Sequence, residues 1–250
     1  PDIIGDLFYL AGACSLVLGV FCFFLPHTPP KKEAENPFAF LEALSLLKDK
    51  NFAVFLAIAF IVTTELQFYY LPTSVFLEEI GVAKENVPSV MTIAQIAEIV
   101  TMALFLPLFL KKIGLRWTLA LGVIAWPLRY LIFALQQPVP LVVASLAFHG
   151  LGYTFFFVAS QIYVDNVASA TSRASAQSLL TLVTLGIGNY LGTMFYMVIK
   201  NWFTVVQPDG SELTSWSKLF LVPCALTALC AVAFLVFFKP PEKQLEEKTG

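Results

Sequence analysis

Charge is what this sequence has least of. Aspartate, glutamate, lysine and arginine make up 13% of its 250 residues, where a soluble domain carries about 25%. Hydrophobic residues make up 58%, and the mean hydropathy is +0.78. A soluble domain of this size cannot hide so much apolar surface, so the solvent for most of the chain is lipid. The same scarcity excludes disorder, which needs high charge and few apolar residues. No excess of basic residues is present either. A formal net charge of −2 leaves no basic face for nucleic acid. Cysteine is sparse, and Cys14, Cys22, Cys224 and Cys230 all lie inside apolar runs. They have no metal-ligand spacing and form no extracellular disulfide pattern. They read as small core residues, so neither a metal nor a cofactor is expected. An initiator methionine and a signal peptide are both lacking, and the chain reads as a piece of a longer protein.

Long apolar windows are what the sequence has in abundance. A spanning helix needs roughly 20 mainly apolar residues. Seven windows qualify: Ile3–Leu25, Phe52–Phe76, Val87–Leu110, Leu115–Leu135, Val139–Tyr163, Ala174–Ile199 and Leu219–Phe238. Breakers separate them at Pro26, Pro29 and Pro30, at Gly81, at Gly114, at Pro138 and Pro140, and at Pro208-Asp209-Gly210. Basic residues orient them. One set of loops and the tail carry Lys31, Lys32, Lys48, Lys50, Lys111, Lys112, Arg116, Arg173, Lys239, Lys243 and Lys248. The opposite set carries only Lys84, Lys200 and Lys218. This bias predicts a first residue outside and a cytoplasmic C-terminus.

The connection between the first two spans is the longest. It contains Asn36-Pro37, a helix cap followed by proline at the first helical position. Phe38, Leu41, Leu44 and Leu47 follow at helical spacing, which predicts a short amphipathic helix along the cytoplasmic face. A long basic linker followed by six spans is the organisation of the second half of a two-bundle transporter. The expected fold is therefore all-α integral membrane, a C-terminal six-helix bundle preceded by one transmembrane helix. Residues 1–25 would be the last helix of a missing N-terminal bundle and 26–52 a cytoplasmic linker. Residues 53–238 would be the six-helix bundle and 239–250 a cytoplasmic tail. Its six helices would form two inverted triplets.

A charge inside the bilayer is expensive and marks function by default. Glu65, Glu98 and Arg129 qualify. Glu65 lies about twelve residues, roughly 18 Å, from the cytoplasmic end of its span. Glu98 lies roughly 15 Å from the outer end of the next span. Both are near the middle of a core about 30 Å thick, so the two carboxyls are expected to converge. Inserting an ionised acid costs about 2.5–3.5 kcal/mol. Protonating a glutamate of reference pKa about 4.3 at pH 7 costs roughly 3.7 kcal/mol. The two costs are comparable, so a small change of surroundings would switch the protonation state. Glu98 and Glu65 are accordingly the proton-coupling candidates. A structural hydrogen bond between helices, worth about 1 kcal/mol, is the plainer alternative.

Gln95 and Glu98 share a helix face. Glu65 and Gln67 do not, being about 200° apart, so only one of those two can point into a cavity. Arg129 either snorkels outward or is the charge partner of a carboxyl. His149, in the fifth span, reads first as a hydrogen-bonding group between helices, and Tyr153 and Thr154 follow it. In the sixth span Gly188 and Gly192 form a GxxxG, a surface for close helix approach, with Asn189 between them.

Three passages together carry a family resemblance. They are Glu65-Leu66-Gln67, Gln95-Ile96-Ala97-Glu98, and Arg173-Ala174-Ser175-Ala176-Gln177 continuing to Gly186, Gly188 and Gly192; Ala125-Trp126-Pro127-Leu128-Arg129 adds to them. These resemble the nucleoside:proton symporters of the major facilitator superfamily, over essentially all of 1–238. The resemblance implies a bacterial inner-membrane, multi-pass transporter without a cofactor. Its partners would be a small solute (a nucleoside), protons, the lipid bilayer and the N-terminal half. Carried over by position, Gln67, Gln95 and Glu98 match substrate-contacting residues. Tyr70 stands where an asparagine is expected, and Thr154 stands where the pattern has an aspartate, next to an aromatic matched by Tyr153. The loop Lys111-Lys112-Ile113-Gly114-Leu115-Arg116 is similar to the superfamily's cytoplasmic gate motif, with Lys111 in place of an acid.

Other classes fit less well. An uncoupled facilitator, or a carrier of another small solute, would need the same fold. A seven-helix receptor would share the orientation. However, the sequence lacks an Asp-Arg pair ending the third span and an Asn-Pro-x-x-Tyr in the seventh. No aspartate lies clearly inside a span and there is no His-Glu-x-x-His, which argues against an intramembrane enzyme.

Overall fold

The computed structural model describes residues 3–27 and 39–241. The chain divides into two units, 1–37 and 38–250. In the first, α1 (Ile3–Cys22) carries a single charge, Asp6, in its first turn. The Asn36-Pro37 cap and the tail from 242 onward lie outside the described residues.

The second unit opens with α2 (Ala39–Ser45) and a 3₁₀ turn over Leu46–Lys48. Ala43 points into the core, while Leu41, Leu44 and Leu47 are exposed in a row. That is the apolar stripe a surface-lying helix needs. Asp49 then stops the chain and starts the next helix. Its Oδ1 accepts from the backbone N–H groups of Asn51 (2.7 Å) and Phe52 (3.1 Å), which are two of the donors a helix start leaves free.

The helices that follow are α3 (Lys50–Glu65), α4 (Gln67–Tyr70), α5 (Thr73–Glu79), α6 (Val87–Val100) and α7 (Leu106–Leu135). They continue with α8 (Val139–Ser145), α9 (Ala147–Gly152), α10 (Ala159–Val167), α11 (Arg173–Thr181), α12 (Asn189–Phe203) and α13 (Trp216–Phe237). Widened π-helical turns join α6 to α7 (Thr101–Phe105), α9 to α10 (Tyr153–Val158) and α11 to α12 (Leu182–Gly188). Beyond α1, five helical stretches among the described residues are long and apolar enough to cross a membrane. The longest covers Lys84–Leu135, and Gly114 breaks it in two. Gly114 sits at φ +77°, in the left-handed region that glycine enters without steric cost. The third and fourth spans therefore separate where the sequence predicts.

One element departs from the all-helical expectation. Thr204–Val206 (β1) pairs antiparallel with Glu212–Thr214 (β2). The Pro208-Asp209-Gly210 breaker is thus the tip of a hairpin, with β-branched residues on the strand that leads into it. Asp209 accepts from the Ser211 hydroxyl (2.7 Å) and N–H (2.9 Å), which hold its carboxyl below the usual carboxylate range.

Two aromatic cores pack the bundle. Towards the end carrying Asp49 and Phe238, Phe55 meets Tyr163 edge-on at 4.8 Å, and Tyr163 meets Phe238 at 5.1 Å. Towards the other end, Phe76 packs on Phe220 (4.8 Å) and on Phe133 (5.2 Å). The buried polar residues from 65 to 69, 126 to 130 and 149 to 154 lie where these two clusters meet. The outward sides of the helices stay apolar and open, as at Leu104, Leu229 and Val232, which is the surface lipid requires.

The gate-like loop has an unexpected partner. With no acid at 111, Arg116 donates instead to the backbone carbonyls of Phe238 (2.9 Å) and Leu235 (3.2 Å) at the end of α13. A cation suits a helix C-terminus, where carbonyls are unpaired and the dipole is negative. Arg116→Ala should lower stability by about 1–2 kcal/mol, since two charge-assisted bonds at a partly exposed site are lost. Thermal unfolding in detergent checks this, and an unchanged transition would refute the cap.

Candidate functional site

The mid-depth polar layer begins where α3 ends. At Leu66 the helical ladder slips: its N–H is shared between the carbonyls of Val62 (3.3 Å) and Thr63 (3.2 Å). On either side of this break, Glu65 and Gln67 diverge. Gln67 turns towards α12 and donates from Nε2 to Asn189 Oδ1 at 3.0 Å. The GxxxG of α12 makes this approach possible. A Cβ on Gly192 would meet the Thr64 backbone and Gln67 Cγ, and one on Gly188 would lie 3.2 Å from Thr63 Cβ. The small-residue face is therefore a packing surface, as its spacing suggests.

Glu65 turns the other way. It is fully buried, and neither carboxyl oxygen has a hydrogen-bond partner. Arg129 lies within electrostatic range of it, as does Cys230 of α13. The Tyr130 hydroxyl donates to the Glu65 backbone carbonyl at 3.0 Å.

Arg129 neither snorkels nor touches a carboxylate. It is fully buried in an aromatic cage. Its guanidinium carbon lies 4.3 Å from the Tyr69 ring centroid, 4.5 Å from Tyr130 and 4.8 Å from Trp126. Such cation–π contacts stabilise by about 0.5–2 kcal/mol each when desolvated. Nη1 donates to His149 Nδ1 at 3.0 Å, whereas Nε and Nη2 have no partner. An arginine cannot accept a hydrogen bond, so Nδ1 is the acceptor. The His149 ring in turn stacks on Tyr69, 4.4 Å between centroids and 19° between planes.

Beyond His149 the layer opens. Tyr70 meets the His149 ring edge-on at 5.6 Å, and Tyr153 lies 6.0 Å from it. Both tyrosines are within electrostatic range of Glu98. Glu98 is half-buried, Gln95 is exposed on the same α6 face, and Tyr70 is 48% exposed. Thr154 is buried, its hydroxyl 3.4 Å from the Glu98 carbonyl. Two π-helical turns bracket this face, one just after Glu98 and one starting at Tyr153; such turns widen a helix and gather at functional sites. Tyr70, Gln95, Glu98 and Tyr153 thus form an open face of carboxylate, amide, hydroxyl and aromatic ring, and Thr154 is buried behind it.

The structure does not bring the two glutamates together as their depths suggest. Glu98 stands on the open face and Glu65 in the closed core, and the route between them passes Tyr70 or Tyr153, then His149, then Arg129. Depth along a helix is legible from residue count, but the direction a side chain takes depends on packing. Gln67 also lies off the open face, against Asn189.

Other features escape the sequence reading. The cage has a signal in retrospect: Trp126, Arg129, Tyr130 and Phe133 stand at i, i+3, i+4 and i+7, on one helix face. Gly150 and Gly152 carry no such signal. A Cβ on Gly150 would meet the backbone of Glu98 and Ala97, and one on Gly152 would lie 2.7 Å from the Trp126 ring. The Arg173 passage serves the turn between α10 and α11. Arg173 Nε lies 2.9 Å from Asp165 Oδ1, and Gln177 donates to the Gln161 carbonyl at 2.7 Å.

The chain is similar to several known proteins. It is 35% identical over 245 residues to the putative nucleoside transporter YegT of Escherichia coli, covering 94% of this chain and 57% of that one. It is 28% identical to the nucleoside permease NupG of the same organism, covering 92% and 58%, and 28% identical to its xanthosine permease, covering 94% and 59%. Crystal structures of NupG superpose with a TM-score of 0.74 for a mutant form, at 28% identity, and 0.72 for another, at 26%. They cover 92% and 93% of this chain, and 60% of NupG in each case. This chain therefore spans under two thirds of the length of these relatives. The fold is that of a major facilitator transporter, and the protein is integral to the membrane and multi-pass. Residues 5–243 match the family described as nucleoside H+ symporter, and the chain belongs to that family.

Proposed function

We propose that this chain supplies one side of the solute path of a secondary active transporter that takes up nucleosides with protons by alternating access. The observation that carries it is the open face at mid-depth. Half-buried Glu98 stands beside Tyr70 and Tyr153, with Gln95 on the same helix face. A nucleoside has a flat base and a hydroxyl-bearing ribose. Tyrosine rings suit the base by stacking, while a carboxylate and an amide suit hydroxyl and ring N–H donors. The relatives named as nucleoside and xanthosine permeases support the same substrate class.

The wider assignments are proposals as well. Residues 1–25 are read as the closing helix of a preceding bundle, 26–52 as a cytoplasmic linker, 53–238 as the C-terminal bundle and 239–250 as a cytoplasmic tail. The lysine and arginine bias supports a cytoplasmic C-terminus and an outer first residue, in a bacterial inner membrane.

A second reading, an uncoupled facilitator, rests on the family resemblance: it places Thr154 where the pattern has an intramembrane aspartate, a natural proton carrier. Proteoliposomes of the full-length protein separate the two. Labelled purine and pyrimidine nucleosides should enter, and should accumulate up to about tenfold for a one-unit inward acid gradient at one proton per solute. Free nucleobases and sugars should compete poorly. Uptake indifferent to the gradient would favour the facilitator, and no uptake of any nucleoside would sink the substrate assignment.

A further inference from the structure

We propose that Glu65 is the proton-binding site of the transport cycle, and that Arg129, tethered to His149, is the positioning residue that links it to the solute face. Two groups of opposite charge type lie buried within electrostatic range of each other, and both are incomplete. Neither carboxyl oxygen of Glu65 is hydrogen-bonded, because the Tyr130 hydroxyl beside it donates to the Glu65 backbone carbonyl instead, and Arg129 Nε and Nη2 have no acceptor. Both side chains are 0% exposed. A carboxylate in that position would be a charge without a hydrogen bond, which a low-dielectric interior penalises heavily. A proton on Glu65 removes that charge. So does Arg129, if the guanidinium reaches the carboxylate and makes the paired, two-pronged contact it is shaped for. Proton and guanidinium are therefore competitors for one carboxyl. The groups that face Glu65 are Arg129 and Tyr130 from α7 and Cys230 from α13, and among these only Arg129 is a cation.

His149 supplies the link. It holds Nη1 of Arg129 at 3.0 Å on one side, and its ring abuts Tyr70 and Tyr153, the neighbours of Glu98, on the other. Solute on the open face holds His149 against Arg129, so Glu65 keeps its proton while solute is bound. Departure of the solute lets His149 move and frees Arg129 to close on Glu65; the proton on the carboxyl then leaves to water on the same side, and the guanidinium takes its place. Return of a proton to Glu65 from the other side of the membrane breaks the pair and restores the His149–Arg129 contact. No further reactant is needed: the core carries one positive charge, held by the aromatic cage, while Glu65 is protonated, and none once the pair has formed. The aromatic cage suits this exchange, because cation–π attraction holds the guanidinium without fixing its direction.

The solute half of this scheme rests on the transporter function proposed above, whereas the proton site does not. Two measurements on the full-length protein keep them apart. Infrared spectroscopy of purified protein at neutral pH should show a protonated carboxylic-acid band that is lost in Glu65→Gln and displaced in Arg129→Lys. The same band in wild type and Glu65→Gln would overturn the proposal, whatever the solute. In proteoliposomes, Glu65→Gln should reduce gradient-driven accumulation from up to about tenfold per pH unit to none, while nucleoside exchange continues. Arg129→Lys should keep part of the coupling, and Arg129→Gln should keep none. Accumulation by Glu65→Gln at the wild-type level would also overturn the assignment. A wild type that moves no nucleoside would refute the substrate instead, and the infrared band would still decide Glu65.

Discussion

Gly150→Leu is expected to prevent the bundle from assembling, and even Gly150→Ala should cost stability. Alanine is the better helix former by about 1 kcal/mol, so propensity alone predicts a gain. Packing reverses the sign. A Cβ at 150 would meet backbone atoms of Ala97 and Glu98 and the Ala94 carbonyl oxygen, lying 2.8 Å from the last. Backbone cannot rotate away as a side chain end can, so α6 and α9 would have to separate. Overpacking of this kind costs about 1–3 kcal/mol, which outweighs the propensity. The separation would also carry Glu98 away from Tyr153 and Thr154, so activity should fall even where some protein folds. Gly186→Ala is the control. A Cβ there would meet only Leu182 Cδ1, at 3.4 Å, an ordinary contact, so propensity acts alone and the change should gain up to about 1 kcal/mol. Thermal stability of the two alanine variants in detergent decides the matter: equal transitions would show that α6 and α9 do not meet at this glycine.

That contrast marks what can be read in the sequence. The ends of the spans are legible because proline and glycine act locally: Gly114 breaks Lys84–Leu135 where a sequence argument puts the break, and its φ of +77° is the cause. The GxxxG of Gly188 and Gly192 is legible because helix approach needs small residues at that period. Gly150 and Gly152 are equally close-packed but stand two apart, a spacing with no helical meaning of its own. Each serves a different neighbour, α6 for one and Trp126 for the other. Only the tertiary arrangement pairs them.

The polar layer divides in the same way. Three intramembrane charges are visible by composition, and their depths follow from counting residues. Their directions do not. Glu65 and Gln67 are separated by a slip in the ladder at Leu66 that no residue type announces. Arg129 has two predictable fates, surface or carboxylate, and it takes the side of the carboxylate, within electrostatic range of Glu65. What the sequence does not show is that aromatic faces hold it short of a direct contact.

Glu98→Gln should weaken nucleoside binding by about 10–100-fold, the range set by losing a charged hydrogen-bond acceptor worth about 1.5–3 kcal/mol. Glutamine has nearly the shape of glutamate, so packing against α9 should persist and folding should be spared. What disappears is a pair of oxygens that accept, replaced by one acceptor and one donor. A ribose hydroxyl or a base N–H that donates to both oxygens loses a partner. Because this is a binding effect, exchange and gradient-driven uptake should suffer alike, and saturating solute should recover much of the rate. Glu65→Gln is expected to show the opposite pattern, with exchange continuing and accumulation lost. Residue count puts the two carboxyls at similar depth, but one faces open space and the other faces a guanidinium. If the variants instead proved interchangeable, with both losing affinity or both losing only accumulation, the division of labour between an open solute face and a closed proton site would be wrong.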